Sequence, residues 1–134
     1  MGVVVFDSDV LIGFLSARDA HHADAVACVR AALAPSNRRL LCAVNYSEIL
    51  IGPLRAGAHE RMERMLAQFA IEVVAADAGL ARHAAAVRAE TNLKLPDAYA
   101  LATALQADER GLPGVRLASF DEAVLRAART RRLA

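Results

Sequence analysis

Four acidic residues stand where apolar runs give way to polar ones: Asp7 after VVVF, Glu48 in NYSEIL, Asp97 in LPDAYALATAL and Asp121 in RLASFDEAVL. Taken singly, Asp at such a junction is a helix cap and Glu a solvated helix residue. Taken together, the set suggests a different chemistry. Carboxylates gathered at one place repel, at roughly 4 kcal/mol for a pair about 4 Å apart and an effective dielectric near 20. A hard divalent cation relieves that repulsion, and carboxylate oxygens with water are the ligands that Mg²⁺ or Mn²⁺ prefer. Such an ion polarises a phosphodiester and lowers the pKa of a coordinated water. No histidine base is then required. Asp9 adds a fifth acid close to Asp7, and Ser119 adds a hydroxyl close to Asp121.

The elements that must position these residues follow from hydrophobic periodicity. Val3–Phe6 is a continuous apolar run, as in a strand buried on both faces of a parallel sheet. It predicts that Asp7 and Asp9 lie at a strand's carboxyl end, where ligands bind in open α/β sheets. A helix follows on Val10, Leu11, Phe14 and Leu15, and another spans 20–34 up to Pro35. Leu40–Val44 reads as a second strand. Asn45 then reads as the cap of a helix with Glu48 at its third position, a capping box, and Pro53 and Gly57 end that helix. Met62, Met65, Leu66 and Phe69 recur at helical spacing, as core or dimer surface. Ile71–Val74 is a third strand, and Asp77 caps a helix to about Glu90. Leu95-Pro96-Asp97 opens a helix with Ala98, Leu101, Ala102 and Leu105 inward. After a turn over Gly111 to Gly114 that also holds Pro113, Val115–Ala118 is a fourth strand and Ser119-Phe120-Asp121 starts a final helix.

The expected order is β-α-α-β-α-α-β-α-α-β-α. It implies an α/β class chain, a three-layer α/β/α fold with a central, mostly parallel sheet of four to five strands. With 134 residues and no linker or repeat, the chain reads as a single domain over 1–134.

Composition narrows the class. Net charge is +1, which argues against binding nucleic acid by bulk charge. Fifteen of the sixteen cationic residues are Arg and the other is Lys94. Lys94, Arg126 and Arg129 are candidate contacts to phosphates, with Arg131 and Arg132 in the same basic tail, and Arg38 and Arg39 form a second basic pair. Tyr46 and Tyr99 read as helix residues, so no aromatic platform for stacking bases is expected, and any nucleic-acid partner would be recognised as a folded shape rather than as a threaded single strand. His21 and His22 have no Cys or His at ligand spacing and read as structural. Cys28 and Cys42 lack a CxxC spacing and read as free thiols of a reducing compartment. No apolar run reaches the ~18 residues of a membrane span, and the N-terminal run lacks a basic leader. The expectation is a cytoplasmic protein without membrane association.

The segments VVVFDSDVLI (3–12), NYSEIL (45–50), LPDAYALATAL (95–105) and RLASFDEAVLRAA (116–128) resemble, in order and spacing, the four motifs of PIN-domain nucleases, and in particular the VapC toxins of toxin–antitoxin pairs. The resemblance implies a PIN-like fold and a Mg²⁺- or Mn²⁺-dependent endoribonuclease. It implies that Asp7, Glu48, Asp97 and Asp121 are the catalytic metal ligands, with Asp9 and Ser119 supporting them. Its expected partners are an RNA substrate (transfer RNA is common in the family), a VapB-like antitoxin and a second copy in a homodimer. Asp9 stands where Asn is more usual and Ser119 where Thr is common; the fourth motif is the most variable. Two alternatives remain in view. FDSDV also resembles the first motif of haloacid-dehalogenase-like phosphatases, with Asp7 as nucleophile. A non-catalytic PIN-like module would bind RNA or a partner without cutting, though it would be expected to have lost at least one of these acids.

Overall fold

A computed structural model describes residues 1–134. The elements are β1 (Gly2–Phe6), α1 (Ser8–Leu15), α2 (His22–Ala32), β2 (Asn37–Cys42), α3 (Ala43–Arg55), α4 (His59–Gln68), β3 (Ile71–Val74), α5 (Ala78–Thr91), α6 (Leu95–Glu109), β4 (Val115–Ala118) and α7 (Glu122–Thr130). All four strands are parallel, in the order β3-β2-β1-β4. This is the α/β/α architecture expected, with four strands.

Every residue of β1 is buried, because helices cover both of its faces. The alternation along the strand assigns each side chain to a layer. Val3 and Val5 join Leu40, Cys42 and Leu117 in a core closed by α5, α6 and α7. Val4 and Phe6 join Leu41 and Ile71 in a core closed by α1 to α4. The Met62/Leu66 stripe of α4 is part of this second core, with Met65 and Phe69 packed against it. On α6, the small residues Ala98, Ala100, Ala102, Ala104 and Ala107 are all buried beside Leu101, so the scarcity of aromatics is met by close helix approach.

The strand order creates the crevice. From β1 the chain steps outward to β2 and β3, then returns to place β4 on the opposite side of β1. Loops leaving the carboxyl ends of β1 and β4 therefore diverge, and the gap between them is where open α/β sheets bind ligands. Asp7 follows β1 directly, and Ser119 follows β4 directly.

Three local expectations change. The second strand covers Asn37–Cys42 rather than Leu40–Val44. Its leading Arg residues are accommodated because Arg38 pairs with Glu72 of β3 at 3.0 Å and Arg39 donates to the carbonyls of Phe69 and Ala32. Helix α3 starts at Ala43, so Asn45 is no cap and no capping box forms; Glu48 lies in the second turn. Pro53 sits inside α3, in its last turn, and the helix runs on to Arg55. No helix is long and apolar enough to cross a membrane. Cys28 and Cys42 are free thiols, half-buried and buried respectively.

Candidate active site

Asp7 is the centre of the site. It caps α1, with Oδ1 accepting from the Ser8 backbone N–H at 2.8 Å. Its Oδ2 accepts from the Ser119 hydroxyl at 2.8 Å, across the gap between β1 and β4. The residue is 1% exposed. Burial pushes its carboxyl up to about 7, and the Asp9 and Asp97 carboxylates push the same way, against the hydrogen bonds from Ser119 and Ser8. Carboxylates perturbed by burial and by like charges are enriched at functional sites.

Asp9 ties the two crevice walls together. Its Oδ2 accepts from the Phe120 backbone N–H at 2.9 Å and lies 3.4 Å from the Ser119 hydroxyl. Its Oδ1 is buried without a full hydrogen bond, although the Val10 backbone N–H is near enough to the carboxylate to help hold it down. Burial raises its carboxyl too, with Asp121 adding to the effect. An unpaired buried carboxylate oxygen beside a second buried carboxylate is costly without a cation.

Asp97 lies in the first turn of α6, half-buried. Burial raises its carboxyl, and Asp121, Glu48 and Asp9 raise it further, while Lys94 opposes them. Lys94 is the exposed residue before α6, close enough for its charge to act on Asp97. Glu48 is held by Asn45, whose Nδ2 donates to Glu48 Oε1 at 3.2 Å and to the Pro96 carbonyl at 3.1 Å. Asn45 is fully buried, so it fixes Glu48 and the start of α6 with one side chain. Its own Oδ1 has no partner. Asp121 caps α7: Oδ1 accepts from the Ala123 and Val124 N–H groups, and its own N–H donates to the Ser119 hydroxyl. It is exposed, and only one of its oxygens is used by the cap.

The five acids thus share one electrostatic field at the carboxyl ends of β1 and β4. They do not form a closed cage: no three His, Cys, Asp or Glu side chains stand at mutual metal-ligand distance. Mg²⁺ keeps much of its water and takes one or two direct carboxylates, so it does not require a closed cage. The raised Asp7, the orphaned Asp9 oxygen and the all-oxygen donor set fit a hard divalent ion.

The basic candidates divide. Arg38 and Arg39 face Val3 and Val4 in register, toward the start of the strands and away from the acids, and both are engaged in structural contacts. Arg131 is tied to Glu90 at 3.0 Å and to the Ala127 carbonyl. Arg129 lies 3.9 Å from Glu122. Helix α7 carries the chain away from the acids, so Arg126 is closer to Asp121 than Arg129 is, by about 4.5 Å along the axis. His22 Nδ1 is 2.8 Å from the Gly13 carbonyl, a structural role as expected.

Two features escape the sequence. Asn45 is a buried bracket rather than a cap; its place four residues before Ile49, on one helix face, was the available signal. An aromatic pair is also present: the rings of His21 and Phe120 stack at 4.8 Å and 17°. Nothing in the linear order connects two rings so far apart along the chain.

Comparison with known proteins places the fold. A family model described as PIN domain matches residues 4–130. No curated protein matches. Among solved structures the chain is similar to a toxin-antitoxin complex from Klebsiella pneumoniae, at 24% identity and TM-score 0.69, covering 90% of this chain and 87% of that one. It is also similar to VapBC2 from Rickettsia felis bound to a DNA fragment from their promoter, at 14% identity and TM-score 0.53, covering 89% and 99%. At these identities the likeness is one of fold.

Proposed function

The chain belongs to the PIN-domain family, and from that premise we propose that it is a Mg²⁺-dependent endoribonuclease, active also with Mn²⁺, serving as the toxin of a VapBC-type pair. The observation that carries this reading is Asp7: a buried carboxylate raised to about 7, facing Asp9 and Asp97, with an uncompensated acid oxygen beside it. A helix cap needs no such field; a divalent-ion site does.

Asp7 and Asp97 would hold the principal ion, with Glu48 and Asp121 completing its surroundings. When bound, the ion supplies Lewis-acid polarisation of the phosphodiester and a lowered pKa for the hydrolytic water. The protein's part is orientation. Ser119 fixes Asp7 Oδ2, and Ser8 fixes Oδ1. Asp9 anchors the Phe120 backbone, which sets the start of α7 and so the position of Asp121. Asn45 aims Glu48 from α3 toward α6. Lys94, three residues before Asp97, would meet a phosphate, and Arg126 on α7 would be a further contact. With no histidine base in the site, cleavage leaves a 5′-phosphate and a 3′-hydroxyl.

The haloacid-dehalogenase-like alternative lacks support beyond FDSDV. The family match covers nearly the whole chain, and Lys94, its only lysine, precedes Asp97 at the head of α6. The non-catalytic reading is disfavoured because every acid of the set is present in one field. The toxin role draws on the two solved neighbours, both described as toxin–antitoxin assemblies, and it brings an antitoxin, a homodimer and a cytoplasmic RNA target, such as a transfer RNA, as parts of the proposal. The test is induced expression in a bacterial host with sequencing of RNA 5′ ends. Growth arrest with discrete new 5′-phosphate ends, both lost in Asp97→Ala, is the expected result. Arrest that persists in Asp97→Ala would overturn the reading.

A further inference from the structure

The stacked pair of His21 and Phe120 lies on the rim of the acid crevice, and its construction is specific. Phe120 sits between Ser119, which bonds Asp7, and Asp121, which caps α7. Its backbone N–H is pinned by Asp9 at 2.9 Å. The ring is half-buried against the core closed by α1 to α4, while the backbone that carries it is tied to Asp9. His21 covers that ring with its own, 4.8 Å away and 17° from parallel, and is itself exposed.

His21 is held independently. Its backbone N–H donates to Asp19 Oδ1 at 2.8 Å, and the next residue, His22, is fastened to the Gly13 carbonyl. Gly13 makes this approach possible: a Cβ there would stand 3.2 Å from the Ala25 Cβ, so α2 could not lie as close to α1. The α1–α2 loop is thereby drawn over the end of β4, and its last side chain meets Phe120. The outer ring is not needed to close the core at that point, since His21 is solvent-accessible.

We infer that the His21–Phe120 stack is a nucleobase platform, holding a base of the RNA next to the phosphate at the acids. The inference rests on the nuclease reading above and adds the side chains that seat the substrate. Bases stack on His and Phe rings in single-stranded RNA recognition, and the contact tolerates sequence because every base has a π face. A base on the outer face of His21 extends the pile by one ring. This replaces the expectation of recognition by shape alone: the cut strand is locally unpaired, with one base splayed onto the platform.

The test uses a fluorescein-labelled 12-nucleotide RNA of mixed sequence, titrated by anisotropy against the full chain carrying Asp97→Asn, which keeps the RNA intact. Adding His21→Ala is expected to weaken binding roughly ten-fold, within the range of one lost base stack. His21→Tyr is expected to restore it, and an abasic RNA of the same length is expected to bind with the weaker affinity and to be indifferent to His21→Ala. In cleavage by chains with Asp97 intact, His21→Ala raises KM and spares kcat. Equal affinity of the chain that keeps His21 and of the His21→Ala and His21→Tyr variants, or a loss that is the same on abasic RNA, would overturn the platform. Because His21 is exposed, its variants fold. Cleavage that persists with a neutral His21 series sinks the platform alone; absence of cleavage and of RNA binding by the unmodified chain sinks both it and the nuclease reading.

Discussion

Replacing Asp7 with Asn should make the metal-free protein more stable, and increasingly so as pH rises. Asp7 is raised from 3.8 to about 7 in the fold. A carboxyl with a raised folded pKa binds its proton more tightly in the native state than in the unfolded one, so stability falls as pH increases between the two values. The penalty is absent below the unfolded value of 3.8, grows through the interval and is complete above about 7. A shift of that size corresponds to roughly 4 kcal/mol, of which about 2.5 kcal/mol develops between about pH 5 and about pH 8. Asn keeps the geometry: its Oδ1 can accept from the Ser8 N–H, as Asn does well at an N-cap, and its Nδ2 can donate to the Ser119 oxygen. The assay is urea unfolding of both chains in EDTA at the two pH values. Wild type should lose stability relative to Asp7→Asn by about 2.5 kcal/mol over that interval. Parallel pH profiles for the two chains, or a wild type that gains on the variant as pH rises, would refute the reasoning.

Other outcomes follow from the same geometry. Mg²⁺ at about a hundred times its Kd should stabilise wild type by about 2.7 kcal/mol at pH above about 7, and Asp7→Asn by much less, as read by thermal melting with and without EDTA. Removing the Ser119 hydroxyl takes away the side-chain bond that holds Asp7 down; Ser119→Ala should move the acid limb of the kcat/KM profile to higher pH, and Ser119→Thr should leave it in place. Asn45→Ala breaks the bridge between Glu48 and the Pro96 carbonyl; about 1–3 kcal/mol of stability should be lost in denaturant titration, with a fall in kcat larger than in Arg38→Ala, whose side chain is far from the acids.

Much of this molecule could be read in its linear order, for identifiable reasons. Val3–Phe6 announced a doubly covered strand because a parallel sheet demands apolar residues on both faces, and that alone put Asp7 at a carboxyl end. The helical face of α4 was plain because local periodicity survives packing, whereas α6 is buried on more than the one face expected, with Ala100, Thr103, Ala104 and Ala107 also inside and Leu105 only half-buried. The start of β2 was hidden since Arg38 and Arg39 look like loop residues until Glu72 and the carbonyls of α2 and the α4 terminus come into reach. Asn45 resembled a cap because cap and buried bracket use the same amide; only the approach of Pro96 from α6 decides between them. The positions of the acids at strand and helix junctions were legible, but their coupling was not. The Ser119–Asp7 and Phe120–Asp9 bonds join opposite ends of the chain, and the His21–Phe120 stack depends on the same closure.

The central claim is that these acids form a divalent-ion nuclease centre, and cleavage of RNA by the purified chain tests it most directly. RNA should be cut with Mg²⁺ or Mn²⁺ present, leaving 5′-phosphate ends, and should stay intact in EDTA or when Asp7→Asn or Asp97→Asn replaces the wild type. Undiminished cutting in EDTA, or full activity of either variant with Mg²⁺, would contradict it.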